Sequence, residues 1–182
     1  MLRIISGKYR NRKIQEPDLK ITRPTTDKVR EAIFSSLQFK IIGKKCLDLF
    51  AGSGALSIEA ISRGAKATTA IEKNKEVYKI MLNNINSIKI EEINTLNTDA
   101  LNFLKLNSKV FDFIFIDAPY HEYKFIVNEC LSLINVNDTL DSEGEIILET
   151  NSIKEIVIPS GLKVYKSKRY GRIDVLYIIK DE

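Results

Sequence analysis

Two spacings of apolar residues alternate along most of the chain, and they predict different elements. Short apolar runs are typical of buried strands, whereas apolar residues that return every three or four positions are typical of amphipathic helices. From residue 46 onward the two patterns follow one another without a long polar gap. They predict strand 46–50, helix 55–64, strand 67–72, helix 75–85, strand 92–97, helix 100–106, strand 111–117, helix 125–134 and strand 145–149.

The order of these elements predicts the fold. Strands that alternate with helices form right-handed crossovers and pair in parallel. Two further strand-like segments, 162–168 and 173–179, flank a turn at residues 169–172 and predict an antiparallel hairpin. We therefore expect an α/β fold of the Rossmann-like, doubly wound kind, with a mostly parallel seven-stranded sheet that ends in a C-terminal antiparallel hairpin.

The first forty residues follow a different pattern. Residues 2–5 and 9–14 have strand composition and predict a short hairpin around Ser6 and Gly7. Pro24 and the cluster 25–27 supply the chemistry of a helix start, and residues 29, 32, 33 and 37 follow at helical spacing. This segment is expected to be an extension, a β-hairpin plus one helix, that packs on the rest of the chain.

Composition limits the class of protein. With 182 residues, 44% of them apolar and 29% charged, the chain is expected to form one soluble domain with a real core. It shows no apolar run of about 18 residues and no apolar leader, which predicts a cytoplasmic protein without a membrane partner. Cys46 and Cys130 lack metal-site spacing and are expected to be buried thiols, with no metal bound.

Positive charge is concentrated at one end of the chain. The net charge is +4, but residues 1–30 hold nine Lys or Arg against three acidic residues, so the rest of the chain sums to −2. A basic arm on a near-neutral body is typical of a protein that binds a polyanion such as nucleic acid. A solvated basic edge explains the same charge equally well.

The first candidate site is the turn from Asp48 to Gly54, between a predicted strand and a predicted helix. Its glycines, Gly52 and Gly54, let a ligand approach the backbone and the helix N-terminus. A dinucleotide fingerprint would have glycine where Ser57 stands, and the Asp48 carboxylate would repel a pyrophosphate. The turn therefore favours a nucleotide-like ligand that carries a cation, such as S-adenosylmethionine, over NAD. A tight turn without a ligand is the alternative.

Two acidic residues follow the next strands. Glu72 ends the second strand, where a carboxylate can accept hydrogen bonds from both hydroxyls of a ribose, in NAD as well as in S-adenosylmethionine. Asp99 precedes Ala100, and the pair can bind an adenine through the carboxylate and the neighbouring amide. Asp99 is equally suited to cap the N-terminus of helix 100–106.

The fourth strand ends in Asp117, Ala118, Pro119 and Tyr120, at the edge where open α/β sheets bind ligands. An exocyclic base amine is a poor nucleophile because its lone pair is delocalised into the ring. The Asp117 carboxylate and the Ala118 carbonyl can hold the hydrogens of such an amine, Pro119 can fix the backbone, and Tyr120 can stack on the base. A plain loop, in which Pro119 ends the strand and Tyr120 packs in the core, is the alternative.

Taken together, these motifs resemble those of class I S-adenosylmethionine-dependent methyltransferases with an N/D-P-P-Y-type motif, and more closely the bacterial 16S ribosomal RNA guanine-N2 methyltransferase family. The resemblance covers nearly the whole chain and departs at Ala118, where the family usually has proline. Since only the carbonyl of that residue accepts a hydrogen bond, activity is still implied, with a less rigid loop. The resemblance rests on residues 3–7, 23–25, 29–34, 47–56, 59–60, 63–65, 117–120 and 170–171.

The resemblance implies a role for each candidate residue. It implies a single methyltransferase domain over 1–182, in which 1–40 contact RNA and 41–182 form the catalytic core. The partner would be ribosomal RNA, within a small-subunit particle, and the protein a monomer. The implied cofactor site comprises Asp48, Phe50, Gly52, Gly54, Glu72, Asp99 and Ala100; the target-base site comprises Asp117, Ala118, Pro119 and Tyr120; and RNA would be contacted by Lys8, Arg10, Arg12 and Arg23.

Several alternatives stay open at this point. Lys8, Arg10 and Arg12 alternate along the second predicted strand and would share one face of it, where they could contact RNA. The alternative is a solvated edge strand, with RNA held by Lys166, Lys168, Arg169 and Arg172 instead. An adenine-N6 methyltransferase acting on DNA or RNA can use the same D-x-P-Y chemistry. A non-catalytic RNA-binding assembly factor needs only the basic arm. His121 is expected to be a surface loop residue rather than a catalytic base.

Overall fold

The structure is a computed structural model that describes residues 1–18, 25–119 and 123–182. Strands and helices alternate through most of it, as the spacing of apolar residues predicts. The elements are β1 Leu2–Arg3, β2 Lys13–Ile14, α1 Asp27–Ser36, β3 Lys45–Asp48, α2 Ala55–Ser62, β4 Ala67–Ile71, α3 Lys75–Ile88, β5 Ile93–Leu96, α4 Ala100–Leu106, β6 Phe111–Ile116, α5 Tyr123–Val136, β7 Leu140–Thr150, a 3₁₀ turn Ile153–Glu155, β8 Leu162–Tyr170 and β9 Ile173–Lys180.

Seven strands form one sheet in the order β5-β4-β3-β6-β7-β9-β8. The strands from β5 to β7 are parallel, whereas β9 pairs antiparallel with β7 and with β8. The predicted doubly wound sheet with a terminal hairpin is confirmed. From β3 the chain moves outward to β4 and β5, and then returns to the other side of β3 to form β6 and β7. This reversal leaves a crevice at the carboxyl ends of β3 and β6.

Helices cover both faces of the sheet. Along β6, Phe113 and Phe115 belong to one core, while Ile114 and Ile116 belong to the other, because successive side chains of a strand point to opposite faces. The first core takes buried residues from α1, α2 and α3, and includes a contact between the rings of Phe34 and Phe115 with centroids 5.6 Å apart. The second core takes its helical residues from α4 and α5.

Three helices begin directly after a residue whose side chain caps the helix N-terminus. The Thr26 hydroxyl accepts a hydrogen bond from the Val29 amide at 3.3 Å and starts α1. The Asn74 side chain accepts from two amides of the first turn of α3, at 3.0 and 3.1 Å. Asp99 caps α4 in the same way. Each cap satisfies amides that have no partner within the helix, so short polar residues fix these boundaries.

The N-terminal hairpin is shorter than predicted. Its strands contain only Leu2–Arg3 and Lys13–Ile14, and residues 6–11 form bends and turns. The amides of Lys8 and Tyr9 donate to the Ser62 carbonyl and hydroxyl at 2.8 and 2.9 Å, so they do not join a ladder. The prediction of a strand over 9–14, with Lys8, Arg10 and Arg12 on one face, is therefore wrong.

This segment is held tightly against α2. A Cβ atom added at Gly7, where φ is +86°, would lie 1.8 Å from the Ser62 carbonyl oxygen, so only glycine permits this approach. The buried Glu59 carboxylate accepts hydrogen bonds from the amides of Ile5 at 2.9 Å and Ser6 at 3.0 Å. The wholly buried Arg30 of α1 donates to the Arg3 carbonyl at 2.6 Å. These bonds connect the hairpin, α1 and α2.

Strand β7 differs from its predicted bounds, whereas the two cysteines lie as predicted. The sequence predicts this strand over 145–149, but it runs from Leu140, because Leu140 already pairs with Phe111 of β6 and residues 141–144 form an irregularity before pairing resumes at Glu145 and Phe113. Cys46 and Cys130 are free, buried thiols, as predicted, and burial raises the pKa of both. None of the helices in the described ranges is long and apolar enough to cross a membrane.

Candidate active site

A cavity of about 480 Å³ opens at the carboxyl ends of the parallel strands. Its wall contains residues that follow β3, β4, β5 and β6, together with residues of the N-terminal segment. Most predicted site residues meet there: Phe50, Gly52, Glu72, Asp99, Ala100, Asp117, Ala118 and Pro119. Asp48 and Gly54 are not in the wall, and Tyr120, His121 and Arg23 lie outside the described residues.

The loop after β3 presents its backbone to the cavity. Gly52 has a φ of +55°, and a Cβ added there would meet no atom within 4 Å. Gly54, at φ +83°, is the residue from which α2 begins. A residue without a side chain thus faces open space beside a helix N-terminus, which suits close contact between a ligand and the main chain.

Glu72 connects this loop to the end of β4. Its Oε2 accepts a hydrogen bond from the Gly52 amide at 3.0 Å, and its Oε1 accepts from the Asn74 amide at 2.8 Å. The side chain is buried, and burial raises the pKa of its carboxyl. Because each carboxylate oxygen has two lone pairs, both oxygens can still accept from a ligand hydroxyl.

Asp48 is fully buried next to this wall. Its Oδ2 accepts from the Ser57 hydroxyl at 2.7 Å, and among the described residues its Oδ1 has no hydrogen-bond partner. Burial raises the pKa of Asp48 to about 7, and the carboxylates of Asp117 and Glu72 contribute in the same direction. Ser57, which stands where a dinucleotide fingerprint has glycine, therefore donates a hydrogen bond to Asp48.

Asp99 has the capping role that was one of its two predicted roles. Its Oδ1 accepts from the amides of Leu101 at 2.9 Å and Asn102 at 3.1 Å. The residue also lines the cavity together with the buried Ala100. Capping fixes the direction of the side chain and does not remove it from the cavity wall.

The segment Asp117–Pro119 lies across the cavity, directly after β6. The Thr25 hydroxyl donates a hydrogen bond to Asp117 Oδ2, and Thr25, Thr26 and Val29 line the same cavity. Ala118 is buried, at 4% exposure. The described part of the predicted target-base site thus lines the same cavity as most of the predicted cofactor site, together with residues of the N-terminal segment.

Sequence reasoning did not identify every wall residue. Thr98, Asn74 and Glu149 also line the cavity, and Glu149 is a buried acidic residue near the end of β7. The rule that pointed to Glu72 and Asp117, an acid at the end of a parallel strand, would have found Glu149. Within the described residues, no three His, Cys, Asp or Glu side chains lie together as a metal site requires.

The predicted RNA-contacting residues are at the surface. Lys8, Arg10 and Arg12 are exposed, and Arg12 donates to the Ser87 carbonyl at 3.3 Å. On the C-terminal hairpin, Lys168, Arg169 and Arg172 are exposed, whereas Lys166 lies with its ammonium 4.4 Å from the centre of the Tyr177 ring. Both surfaces present several positive charges to solvent.

Comparison with known proteins identifies the family of the chain. Residues 2–179 match the model of a family described as Conserved hypothetical protein 95. Proteins named Ribosomal RNA small subunit methyltransferase D are similar over nearly their whole length: the one from Buchnera aphidicola is 36% identical, covering 96% of this chain and 92% of the relative, and the one from Escherichia coli K12 is 34% identical, covering 94% and 86%.

Solved structures show the same relationship. A protein described as a methyltransferase from Escherichia coli superposes with a TM-score of 0.90 at 31% identity, covering 99% of this chain and 98% of that one. A protein described as a methylase from Haemophilus influenzae superposes with a TM-score of 0.82 at 32% identity, covering 100% and 99%. The chain therefore belongs to the family described as Conserved hypothetical protein 95, and within it to the class I S-adenosylmethionine-dependent methyltransferases of the ribosomal RNA small subunit methyltransferase D type.

Proposed function

We propose that this protein transfers a methyl group from S-adenosylmethionine to the exocyclic N2 amine of a guanine in 16S ribosomal RNA. The observation that carries the proposal is the position of Asp117, Ala118 and Pro119 in one cavity with Gly52 and Glu72. The names of the relatives, which refer to small-subunit ribosomal RNA, support the class of substrate.

The cavity residues fit S-adenosylmethionine. The open backbone at Gly52 accommodates the ligand closely, and Glu72 accepts from its ribose hydroxyls. Asp99 and Ala100 bind the adenine, while Phe50 packs beside it in the wall. Gly54 is the residue from which α2 begins. Asp48 is buried behind the wall with a raised pKa, and a methionine ammonium bound nearby would favour its ionised form. When bound, S-adenosylmethionine supplies an electrophilic methyl group on its sulfonium.

The residues after β6 hold the target amine. The Asp117 carboxylate and the Ala118 carbonyl accept its hydrogens, which opposes delocalisation of the lone pair into the ring and directs that lone pair at the methyl group. Guanine suits this site because its N1–H and N2 amine are adjacent donors facing an acceptor-only carboxylate. Pro119 restricts the backbone, and Tyr120 stacks on the extruded base. As the bond from nitrogen to the methyl carbon forms, the bond from that carbon to sulfur breaks and S-adenosylhomocysteine leaves. The methylated amine then loses its proton to water, without a protein base.

The substrate is proposed to be ribosomal RNA within a small-subunit particle in the cytoplasm. Residues 1–40 form the RNA-contacting extension, through Lys8, Arg10, Arg12 and Arg23, and residues 41–182 form the catalytic core of a single methyltransferase domain that acts as a monomer. The excess of positive charge in residues 1–30 supports this division.

The test is methylation in vitro of small-subunit particles from a bacterium that lacks the corresponding enzyme, followed by mass spectrometry of the nucleosides. We expect N2-methylguanosine from 16S ribosomal RNA. Detection of N6-methyladenosine would contradict the proposal and indicate an adenine-N6 methyltransferase. RNA binding without any methylated product would indicate a non-catalytic assembly factor.

Two variants separate the roles of the two halves of the cavity. Asp117→Ala should lower the single-turnover rate by about 100-fold or more while the Kd for S-adenosylmethionine stays within about threefold. Glu72→Ala should raise that Kd by about one to two decades, from the loss of roughly 1.5 to 3 kcal/mol of hydrogen bonding. An unchanged rate in the first variant, or tighter binding of NADH by the wild type in calorimetry, would contradict these roles.

A further inference from the structure

We infer that Thr25 is a positioning residue for methyl transfer: its hydroxyl orients the Asp117 carboxylate toward the target amine. The inference rests on the proposed role of Asp117 and goes beyond it, because it assigns a residue of the N-terminal segment to the geometry of the reaction.

The contact joins two distant parts of the chain. Thr25 Oγ1 donates to Asp117 Oδ2 across 92 residues of sequence, and both residues line the cavity. A hydroxyl bonded to one oxygen of a carboxylate restricts rotation of the carboxyl group. It thereby fixes the directions in which the remaining lone pairs point, and an acceptor that must hold an amine in line with a methyl group depends on that direction.

Thr25 directly precedes the N-cap residue of a packed helix. Thr26 caps α1, and the Arg30 amide donates to the Thr26 carbonyl at 2.9 Å. The helix is anchored in the core by the buried side chains of Ile33 and Phe34. Thr25 is thus placed by a packed helix, which gives an orienting group the precision that it needs.

A structural explanation of Thr25 can be separated from this one. The capping bond of α1 is made by Thr26, whose hydroxyl accepts from Val29, so the helix does not need the Thr25 hydroxyl. Replacing that hydroxyl with a methyl group of similar size should therefore leave α1 in place and remove only the bond to Asp117.

The experiment compares Thr25→Val with Thr25→Ser as the matched control that keeps the hydroxyl. Single-turnover methylation of the particle should slow about 10-fold to 100-fold in the Val variant and at most about threefold in the Ser variant. The Kd for S-adenosylmethionine and the KM for the particle should stay within about threefold in both. If the Val variant lacks the wild-type far-UV spectrum, Thr25→Ala, which adds no bulk, takes its place.

A double variant shows whether Thr25 acts through Asp117. In the Asp117→Ala background, Thr25→Val should have no further effect on the rate, because the group that it orients is gone. Equal losses in the Val and Ser variants, a wild-type rate in the Val variant, or losses that multiply in the double variant would each overturn the inference while the proposed function stands. A wild type that methylates no nucleotide would overturn both.

Discussion

Acidic side chains at neighbouring strand ends differ in what their oxygens contact. Glu72 accepts from backbone amides with both oxygens, and Asp99 accepts from two amides with one oxygen. The fully buried Asp48 accepts from the Ser57 hydroxyl with Oδ2, and its Oδ1 has no hydrogen-bond partner among the described residues. The cost of ionisation therefore falls most heavily on Asp48. A cation placed near Asp48 would stabilise the ionised form in a site that water does not reach.

Asp48 should make the stability of the ligand-free protein depend on pH. Its pKa rises from an ordinary value of 3.8 to about 7 in the fold, so the folded state holds a proton that the unfolded state has released. The contribution of Asp48 to the free energy of unfolding is therefore fully present below about pH 4 and is lost as the pH rises to about 7. The side chain introduced by Asp48→Asn cannot ionise. The free energy of unfolding of this variant, relative to that of the wild type, should therefore increase by about 2 to 3 kcal/mol from pH 5 to pH 8.

Urea unfolding of both proteins at the two pH values measures this difference, and other titrating groups cancel in the comparison. Parallel pH profiles for the wild type and the Asn variant would show that Asp48 is not protonated in the fold.

At the scale of elements, Glu59 organises the N-terminal hairpin, α1 and α2. Besides the amides of Ile5 and Ser6, its carboxylate accepts from Arg63 Nε at 2.8 Å and lies 3.9 Å from the guanidinium of Arg30. Burial lowers the pKa of Arg30, and the Glu59 charge opposes that effect. Glu59 thus attaches the extension to the core together with the bonds of Lys8 and Tyr9 to Ser62 and of Arg30 to Arg3.

Glu59→Ala should lower the free energy of unfolding by about 3 to 5 kcal/mol, because it leaves the buried Arg30 and two amides without this partner. Amide exchange should become faster at Ile5 and Ser6. Arg63→Ala is the matched control, since it removes one donor and keeps the bonds to the hairpin. Chemical denaturation with hydrogen exchange measures both effects, and equal losses in the two variants would contradict the assigned role.

The sequence predicts the elements well where the pattern is local. The order and type of β3 to β9 follow from apolar spacing, and helix starts at Asp27, Lys75 and Ala100 follow from capping residues. The hairpin was predicted too long because Lys8 and Tyr9 donate to Ser62, a tertiary contact that no local pattern reveals. The contact of Thr25 with Asp117 was missed for the same reason.

At the scale of the whole molecule, the proposed RNA contact depends on the distribution of charge. The exposed Lys8 and Arg10 lie in a turn and Arg12 directly follows it, so the proposed RNA contact rests on their exposed charges and not on a shared strand face. Each contact between such a residue and a phosphate releases counterions, which makes affinity fall with salt.

Changing Lys8, Arg10 and Arg12 to Ala should lower RNA affinity and reduce the salt slope by up to about three units, with S-adenosylmethionine binding within a factor of a few. The same change at Lys168, Arg169 and Arg172 is the matched comparison. Filter binding across a salt series measures both slopes. An effect confined to the hairpin variant would move the RNA contact to the C-terminal hairpin.

The order of strands in the sheet also bears on how quickly the molecule folds. β3 lies between β4 and β6, yet β6 starts at Phe111, long after β3 ends at Asp48, so this central pairing closes a large loop. The chain loses the entropy of closing this loop before the pairing of β3 with β6 contributes any stability. In contrast, β8 and β9 pair across a tight turn. We expect the C-terminal hairpin to form early in refolding and the β3–β6 pairing, with the two loops that frame the cavity, to form in a slower phase.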